Sequence, residues 1–361
     1  MRMGISKTVR SGAITVLLGS VCLTGLMGSQ AKAQSVTDRL IQNVIQNILQ
    51  NIRDQIQSRR LLTPPPGRMQ FTGEDANQAS AKDDPFSALA YAKAPYMKAP
   101  PPVAPPMYLY GLNVTGSADW SRSAGITTES YGAIGSIDVT KIGVFSAYDA
   151  VSFIGTGAGI WSHSILTDTT TTMGAGTVAY VNGGFSTDFT VDGTWTSVRL
   201  RAAGIAVASP DVSGVSYAPN VQYKFELPNT WFIEPTVGFT YNETYTANFG
   251  TKTGDSTEVH GGARFGFETM WNTVKVQPSL TLAAFSIVSQ SSVGGAAVGP
   301  GGIPLPGVAA GVTPTGQVGG RASGKLNFLW TSTFSSFIEA HGSTIQGTDA
   351  YGTTGGLRWT F

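Results

Sequence analysis

From Tyr108 onward apolar and polar residues trade places at every step, a period of two that a β-strand with two unlike faces satisfies. The segment YLYGLNVTGSADW sets Tyr108, Tyr110, Leu112, Val114, Ala118 and Trp120 on one face, opposite Asn113, Thr115, Ser117 and Asp119. In SYAPNVQYKFE, Tyr217, Val221, Tyr223 and Phe225 oppose Asn220, Gln222, Lys224 and Glu226. In WFIEPTVGFTY, Trp231, Ile233, Val237, Phe239 and Tyr241 oppose Glu234, Thr236 and Thr240. The segments VHGGARFGFETMW and VKVQPSLTL divide in the same way. A β-sandwich also alternates, so the period by itself leaves sandwich and barrel open.

Solvent is the next constraint. Charged residues are 12% of the chain and glycines number 45, against about 25% charged residues in ordinary soluble domains. Such a chain lacks the material for a conventional charged surface. After the extreme N-terminus no stretch approaches the roughly 20 consecutive apolar residues of a membrane-spanning helix, so any crossing of a bilayer is made by strands. Twelve strand candidates begin near Tyr108, Gly132, Val151, Gly174, Phe185, Ser213, Trp231, Ser256, Thr273, Gly319, Ser336 and Ala350. Tight turns fit VNGG, LPNT, WNT and STFS, while SILTDTTTTM, RLRAAGIAVASPDV and the Gly/Pro-rich stretch from Ser291 to Val318 read as long loops. Short turns at one rim, long loops at the other and aromatics at strand ends (Trp231, Trp271, Trp330, Trp359, Phe361) predict a transmembrane antiparallel β-barrel of about 12 strands over residues 107–361. Hydrocarbon tolerates no open edge, so the last strand must pair with the first. That requirement accounts for the ending TTGGLRWTF, where Leu357, Trp359 and Phe361 share one face and Arg358 and Thr360 the other. Pro235 and Pro278 are expected at bulges or strand beginnings, because proline lacks the ladder donor.

Upstream the pattern differs. Arg2, Lys7 and Arg10 precede the apolar run ITVLLGSVCLTGLMG, and Ala31, Lys32 and Ala33 form an A-x-A site, so residues 1–33 are expected to be a signal peptide cleaved after Ala33. Cys22 leaves with it, and the exported chain forms no disulfide. Within residues 34–62, Leu40, Ile41, Val44, Ile45, Ile48, Leu49, Ile52 and Ile56 recur at helical spacing, an amphipathic helix suited to a coiled coil (self-association through 36–56) or to another apolar protein surface. Residues 63–106 read as a Pro-rich linker with a short helix at 84–92.

Residues from about 107 to 361 resemble the autotransporter β-barrel domain of Gram-negative bacteria, the translocator of type V secretion. The resemblance is carried by the closing residues Thr354 to Phe361, by Phe232, Ile233, Glu234 and Pro235, and by Val276, Gln277 and Pro278. It implies a twelve-stranded barrel in the outer membrane, surrounded by lipid. It further implies that Thr354, Gly356, Trp359 and Phe361 form the signal read by the outer-membrane assembly machinery after periplasmic chaperones deliver the chain. About seventy mature residues precede the first strand, so the passenger, or N-terminal extension, is very short. Two alternatives are a passive porin-like channel and a structural or adhesive surface barrel acting through its loops.

Inside the barrel, Glu234, Glu268, Lys275, Glu339 and Arg358 are expected to point inward near the short-turn rim. There they either pair with opposite charges or form a constriction or a seat for the N-terminal segment. Gly157, Gly159, Gly174 and Gly176 are expected on the inner face, leaving room for an occupant. His163, His260 and His341 fall on separate strands with no nucleophile motif beside them, and neither catalysis, cofactor, metal site nor nucleic-acid partner is expected.

Overall fold

A computed structural model describes residues 107–361 apart from 124, 147–148, 166, 203–204, 210, 293–315 and 346–347, together with Leu49, Ile52, Arg53 and Ile56. The signal peptide with Ala31 and Ala33, the Pro-rich linker and the short helix at 84–92 lie outside the described residues.

Twelve long strands follow one another: β1 (Met107–Ser123), β2 (Ile126–Ile142), β3 (Asp149–Ser164), β4 (Thr167–Asn182), β5 (Phe185–Ala202), β6 (Asp211–Tyr223), β7 (Trp231–Thr246), β8 (Lys252–Phe267), β9 (Val274–Ser292), β10 (Gln317–Leu329), β11 (Phe334–Ile345) and β12 (Thr348–Thr360). Three short strands, Ile205–Ala208, Phe225–Glu226 and Thr269–Trp271, extend the wall at its rims. Each long strand pairs antiparallel with its neighbours in sequence, and β1 pairs with β12 from Gly111↔Thr360 to Ser123↔Thr348, which closes the cylinder. At the seam Tyr110 and Phe361 exchange both backbone hydrogen bonds, 2.9 and 3.0 Å. The last residue is therefore a rung of the ladder, and its ring stacks on that of Tyr110 at 6.1 Å.

The two faces are inverted relative to a water-soluble protein. Val237 is 61% exposed and Ile137 66%, while Glu234 is 1% exposed and Thr240 0%. Apolar side chains predominate on the outer face, and hydroxyls, amides and charges make up most of the lumen. Aromatics concentrate at two levels. Tyr110, Trp231, Trp359 and Phe361 ring the end that carries the chain terminus, and the stacked pairs Trp120 with Tyr351, Tyr131 with Trp161 and Tyr217 with Tyr241 lie toward the other. Tyr110 and Trp120 are ten residues apart on β1, which at 3.3 Å per residue and a tilt of ~45° separates the levels by about 23 Å, close to the ~25 Å apolar band of outer-membrane barrels. Past the second level the exposed outward residues turn polar, as in Arg122, Thr127, Glu129 and Asp349.

That change of exterior corrects the expected strand starts and loops. β2 begins at Ile126 and β4 at Thr167, six and seven residues before the sequence suggested, because their first residues stand beyond the lipid where both faces are polar. The expected loop SILTDTTTTM is mostly strand, and at the far rim only two residues separate the end of β1 from β2, of β3 from β4 and of β11 from β12. The rims therefore do not divide into short turns and long loops; residues 293–316 form the one long far-rim connection, most of it outside the described residues. The four turns expected from VNGG, LPNT, WNT and STFS are present, with Gly183 and Asn272 in the left-handed region at φ 55° and 56°. Pro235 and Pro278 each occupy the fifth position of a strand. Each lies in a break of the pairing on its preceding side, Pro235 between Phe225↔Ile233 and Gln222↔Thr236 and Pro278 between Thr269↔Val276 and Gly266↔Ser279, so the missing donor leaves no bond unmade on that side.

Gly157, Gly159, Gly174 and Gly176 are exposed on the outer wall, contrary to the inner placement expected from the sequence. Glycine does serve the lumen elsewhere. Phe232, Phe285 and Phe337 are the cross-strand partners of Gly266, Gly319 and Gly356, and each ring lies where the glycine's Cβ would be. We expect Gly319→Ala to lower the unfolding temperature of the detergent-solubilised barrel, at an overpacking cost of about 1–3 kcal/mol. Gly176→Ala, where a Cβ meets nothing within 4 Å, should leave it unchanged or slightly raised. Equal effects of the two substitutions would contradict the packing described.

Candidate functional site in the barrel lumen

The lumen is built of paired charges on its β7 to β12 side. Glu234 on β7 accepts from Arg264 Nε on β8 at 2.9 Å and from Nη2 of the same guanidinium. Arg321 on β10 reaches across to Glu258 on β8 with two bonds of 2.9 and 2.8 Å, the planar fork matching the carboxylate. Lys325 on β10 faces Glu339 on β11 at 3.7 Å, and Arg358 on β12 donates to Asp138 on β2 at 3.2 Å, tying the end of the chain across the seam. His341 Nε2 and Asp119 Oδ1 lie 2.7 Å apart across the same seam. The cations also cover the inner rings: Arg264 lies 4.9 Å from the centre of Phe232, Arg321 3.8 Å from Phe285 and Lys325 3.9 Å from Phe337.

All five charges expected in the lumen therefore have opposite partners. Glu234, Glu339 and Arg358 lie buried in the wall, and Lys275 is the second residue of β9, on its inner side. Glu268 sits at the mouth, between β8 and the short strand Thr269–Trp271, where it holds Lys275, accepts from Lys224 at 3.4 Å and from Gln277 Nε2 at 3.3 Å. Burial pushes the Glu268 carboxyl up, but the hydrogen bond from Lys275 and the charges of Lys275 and Lys224 outweigh it and hold the group below its ordinary value. Of the C-terminal residues, Gly356 receives the Phe337 ring, Thr354 is partly buried on the inner face, Trp359 packs beside Phe334 at 5.4 Å and Phe361 closes the seam.

The β2 to β6 side is different. Inner positions that elsewhere hold Ser or Thr here hold Ile134, Ile154, Ile160, Met173 and Ala179, an apolar stripe along the wall. Against it pack Ile52 and Ile56, and Leu49 joins Ala218 on β6. Leu49, Ile52, Arg53 and Ile56 are all helical and buried, and their spacing of i, i+3, i+4 and i+7 places them on one helix face. Burying each isoleucine contributes about 1.5–3 kcal/mol relative to leaving it in water. On the same side β5 carries Asp188 and Asp192, both buried. The sequence reading did not single out these acids, the stripe or Arg53. The stripe had a signal, since Ile134, Ile154 and Ile160 interrupt a face made mostly of Ser, Thr, Asp and small residues.

The histidines occupy three settings: His163 pairs with Asp168 on the outer wall at the far rim, His341 with Asp119, and His260 lies 3.9 Å from Glu258. Among the described residues no group of three His, Cys, Asp or Glu is placed to hold a metal ion, and no helix is long and apolar enough to cross a membrane.

Glu234→Gln should leave the Arg264 charge buried without its counterion and cost about 3–5 kcal/mol, whereas replacing both partners with apolar residues should restore much of the loss. Denaturant midpoints of the two variants in detergent measure this, and a single variant as stable as wild type would contradict it. For Glu268 the depressed value means that its stabilisation is present above the ordinary 4.5 and is lost as pH falls through the folded-state value. Glu268→Gln should thus be less stable than wild type at pH ~7, with the difference lost as pH falls through the folded-state value. A difference that persists in acid would overturn the assignment.

Residues 107–341 match the family described as the autotransporter beta-domain. Among solved structures, the β-domain of the Bordetella autotransporter Brka aligns with a TM-score of 0.55 at 16% identity, covering 70% of this chain and 99% of that one. The translocator domain of the autotransporter NalP from Neisseria meningitidis aligns with a TM-score of 0.50 at 8% identity, covering 70% and 88%. At these identities the likeness is one of fold. None of the curated protein sequences matches the chain.

Proposed function

Because this chain belongs to the autotransporter beta-domain family, we propose that it is a translocator-type outer-membrane barrel whose own short N-terminal extension is both its cargo and the occupant of its lumen. The carrying observation is the burial of Leu49, Ile52, Arg53 and Ile56 against inner-wall residues of β2 to β6. Residues 1–33 direct export and are removed after Ala33, the helix of 34–62 lies through the pore, and the Pro-rich 63–106 returns the chain to Met107. The assembly machinery reads Thr354, Gly356, Trp359 and Phe361, and the helix spends its apolar face on the inner wall rather than on a second copy. A porin-like channel fits less well, since inner-wall side chains such as Asn113, Thr190 and Gln277 are almost wholly covered. An adhesive role through long loops loses support from the tight hairpins at the far rim.

Two measurements test the proposal. The intact protein should show little steady conductance in a planar bilayer, and a variant lacking residues 36–56 should conduct. An epitope inserted after Gln34 should be reachable by antibody on intact cells. An open pore in the intact protein would refute occupancy of the lumen, and an epitope protected until the outer membrane is permeabilised would refute translocation.

A further inference from the structure

Four inner positions form a row across adjacent strands: Asp188 on β5 partners Asn220 on β6, Asn220 partners Gly238 on β7, and Gly238 partners His260 on β8. The three side chains are more than nine-tenths buried. Asn220 is fixed, its Nδ2 donating to Asp188 Oδ2 at 3.1 Å and its Oδ1 accepting from the Thr236 hydroxyl at 2.9 Å. By contrast, Asp188 Oδ1 and both ring nitrogens of His260 have no hydrogen-bond partner among the described residues. Gly238 keeps the row open, because a Cβ there would meet the Pro219 carbonyl oxygen at 2.7 Å and His260 Nε2 at 2.8 Å. The result is a row with acceptors at both ends, and Arg53 follows by one helix turn Leu49, which packs on Ala218, two residues along β6 from Asn220.

The sequence shows why one residue matters here. The N-terminal segment is built on a four-residue repeat, IQNV at 41–44, IQNI at 45–48 and LQNI at 49–52, followed by RDQI at 53–56. Arg53 stands where the three preceding repeats place Ile41, Ile45 and Leu49. Apolar packing against the stripe is almost unchanged when such a segment slides by one repeat, since an isoleucine or leucine replaces another. A guanidinium is not interchangeable with them, and a single buried polar residue is an established means of fixing register.

We propose that the Asp188, Asn220 and His260 row is a guanidinium seat, that Arg53 is its occupant, and that this pairing, rather than the apolar stripe, fixes the register of the N-terminal segment in the lumen. The inference rests on the reading that this segment lies in the pore. The planar guanidinium, with five donors, can serve the Asp188 carboxylate and an imidazole nitrogen together, whereas an ammonium offers a compact point charge. Sliding by one repeat would bury Asp188 opposite an aliphatic side chain.

The test uses the full chain with Cys22, its one cysteine, replaced by serine, and two disulfide reporters. Leu49→Cys with Ala218→Cys reports the register described, since these residues are in contact; Ile45→Cys with Ala218→Cys reports a slip of one repeat. Folding of each variant is checked by heat-modifiable mobility on gels. In the parent the first disulfide should dominate. Arg53→Leu, which restores the repeat, and Asp188→Asn should each shift the ratio toward the second by about tenfold or more, and Arg53→Lys should fall between. An unchanged ratio in folded Arg53→Leu would overturn the seat while leaving the lumen placement intact. Absence of both disulfides in the folded parent would instead overturn the lumen placement itself.

Discussion

Hydrocarbon offers no hydrogen bonds, so every backbone donor and acceptor that enters the bilayer must find its partner within the protein. The rest of the architecture follows from that demand. It forces the strands to pair in sequence around a cylinder, forces β12 back onto β1, and makes Phe361 a rung of the ladder through its two bonds to Tyr110. It also explains where proline is tolerated, at breaks in the pairing with one neighbouring strand.

With lipid outside, the polar residues have nowhere to go but inward, and the lumen must then satisfy them without bulk water. It does so unevenly. On the β7 to β12 side, phenylalanine rings lie over glycines and are covered by arginine or lysine, which are in turn neutralised by Glu234, Glu258 and Glu339. On the β2 to β6 side the wall presents isoleucines, hydroxyls and the Asp188 and Asp192 carboxylates of β5, a surface complementary to a helix with one apolar stripe and one arginine. One half of the lumen fills itself, and the other half receives a guest.

Much of this was legible in the sequence. Twelve strands, their order and the inward direction of Glu234, Glu339 and Arg358 followed from a period of two and from the closing TTGGLRWTF. The errors have one physical source: alternation marks a strand only where its two faces meet different solvents. At Thr167 to Thr172 the outer face has left the lipid, so strand read as loop. At Gly157 and Gly174 neither face carries the usual contrast, since glycine stands outside where Ala158 and Met173 stand within, and the sides were inverted. The partners of the lumen charges, Arg264 for Glu234 and Asp138 for Arg358, depend on register across strands far apart in sequence and could not be read from either strand alone.

Everything depends on lipid touching the outward side chains of the wall. Single-cysteine spin labels placed at successive positions from Ile233 to Tyr241 on β7, in protein reconstituted into bilayers, test this most directly. Collision with lipid-soluble oxygen should be high at Val237 and Phe239 and low at Glu234, Thr236 and Thr240, oscillating with a period of two. If the labels at Val237 and Phe239 instead collide mainly with a water-soluble paramagnetic complex, or are shielded from both, the barrel does not stand in a membrane.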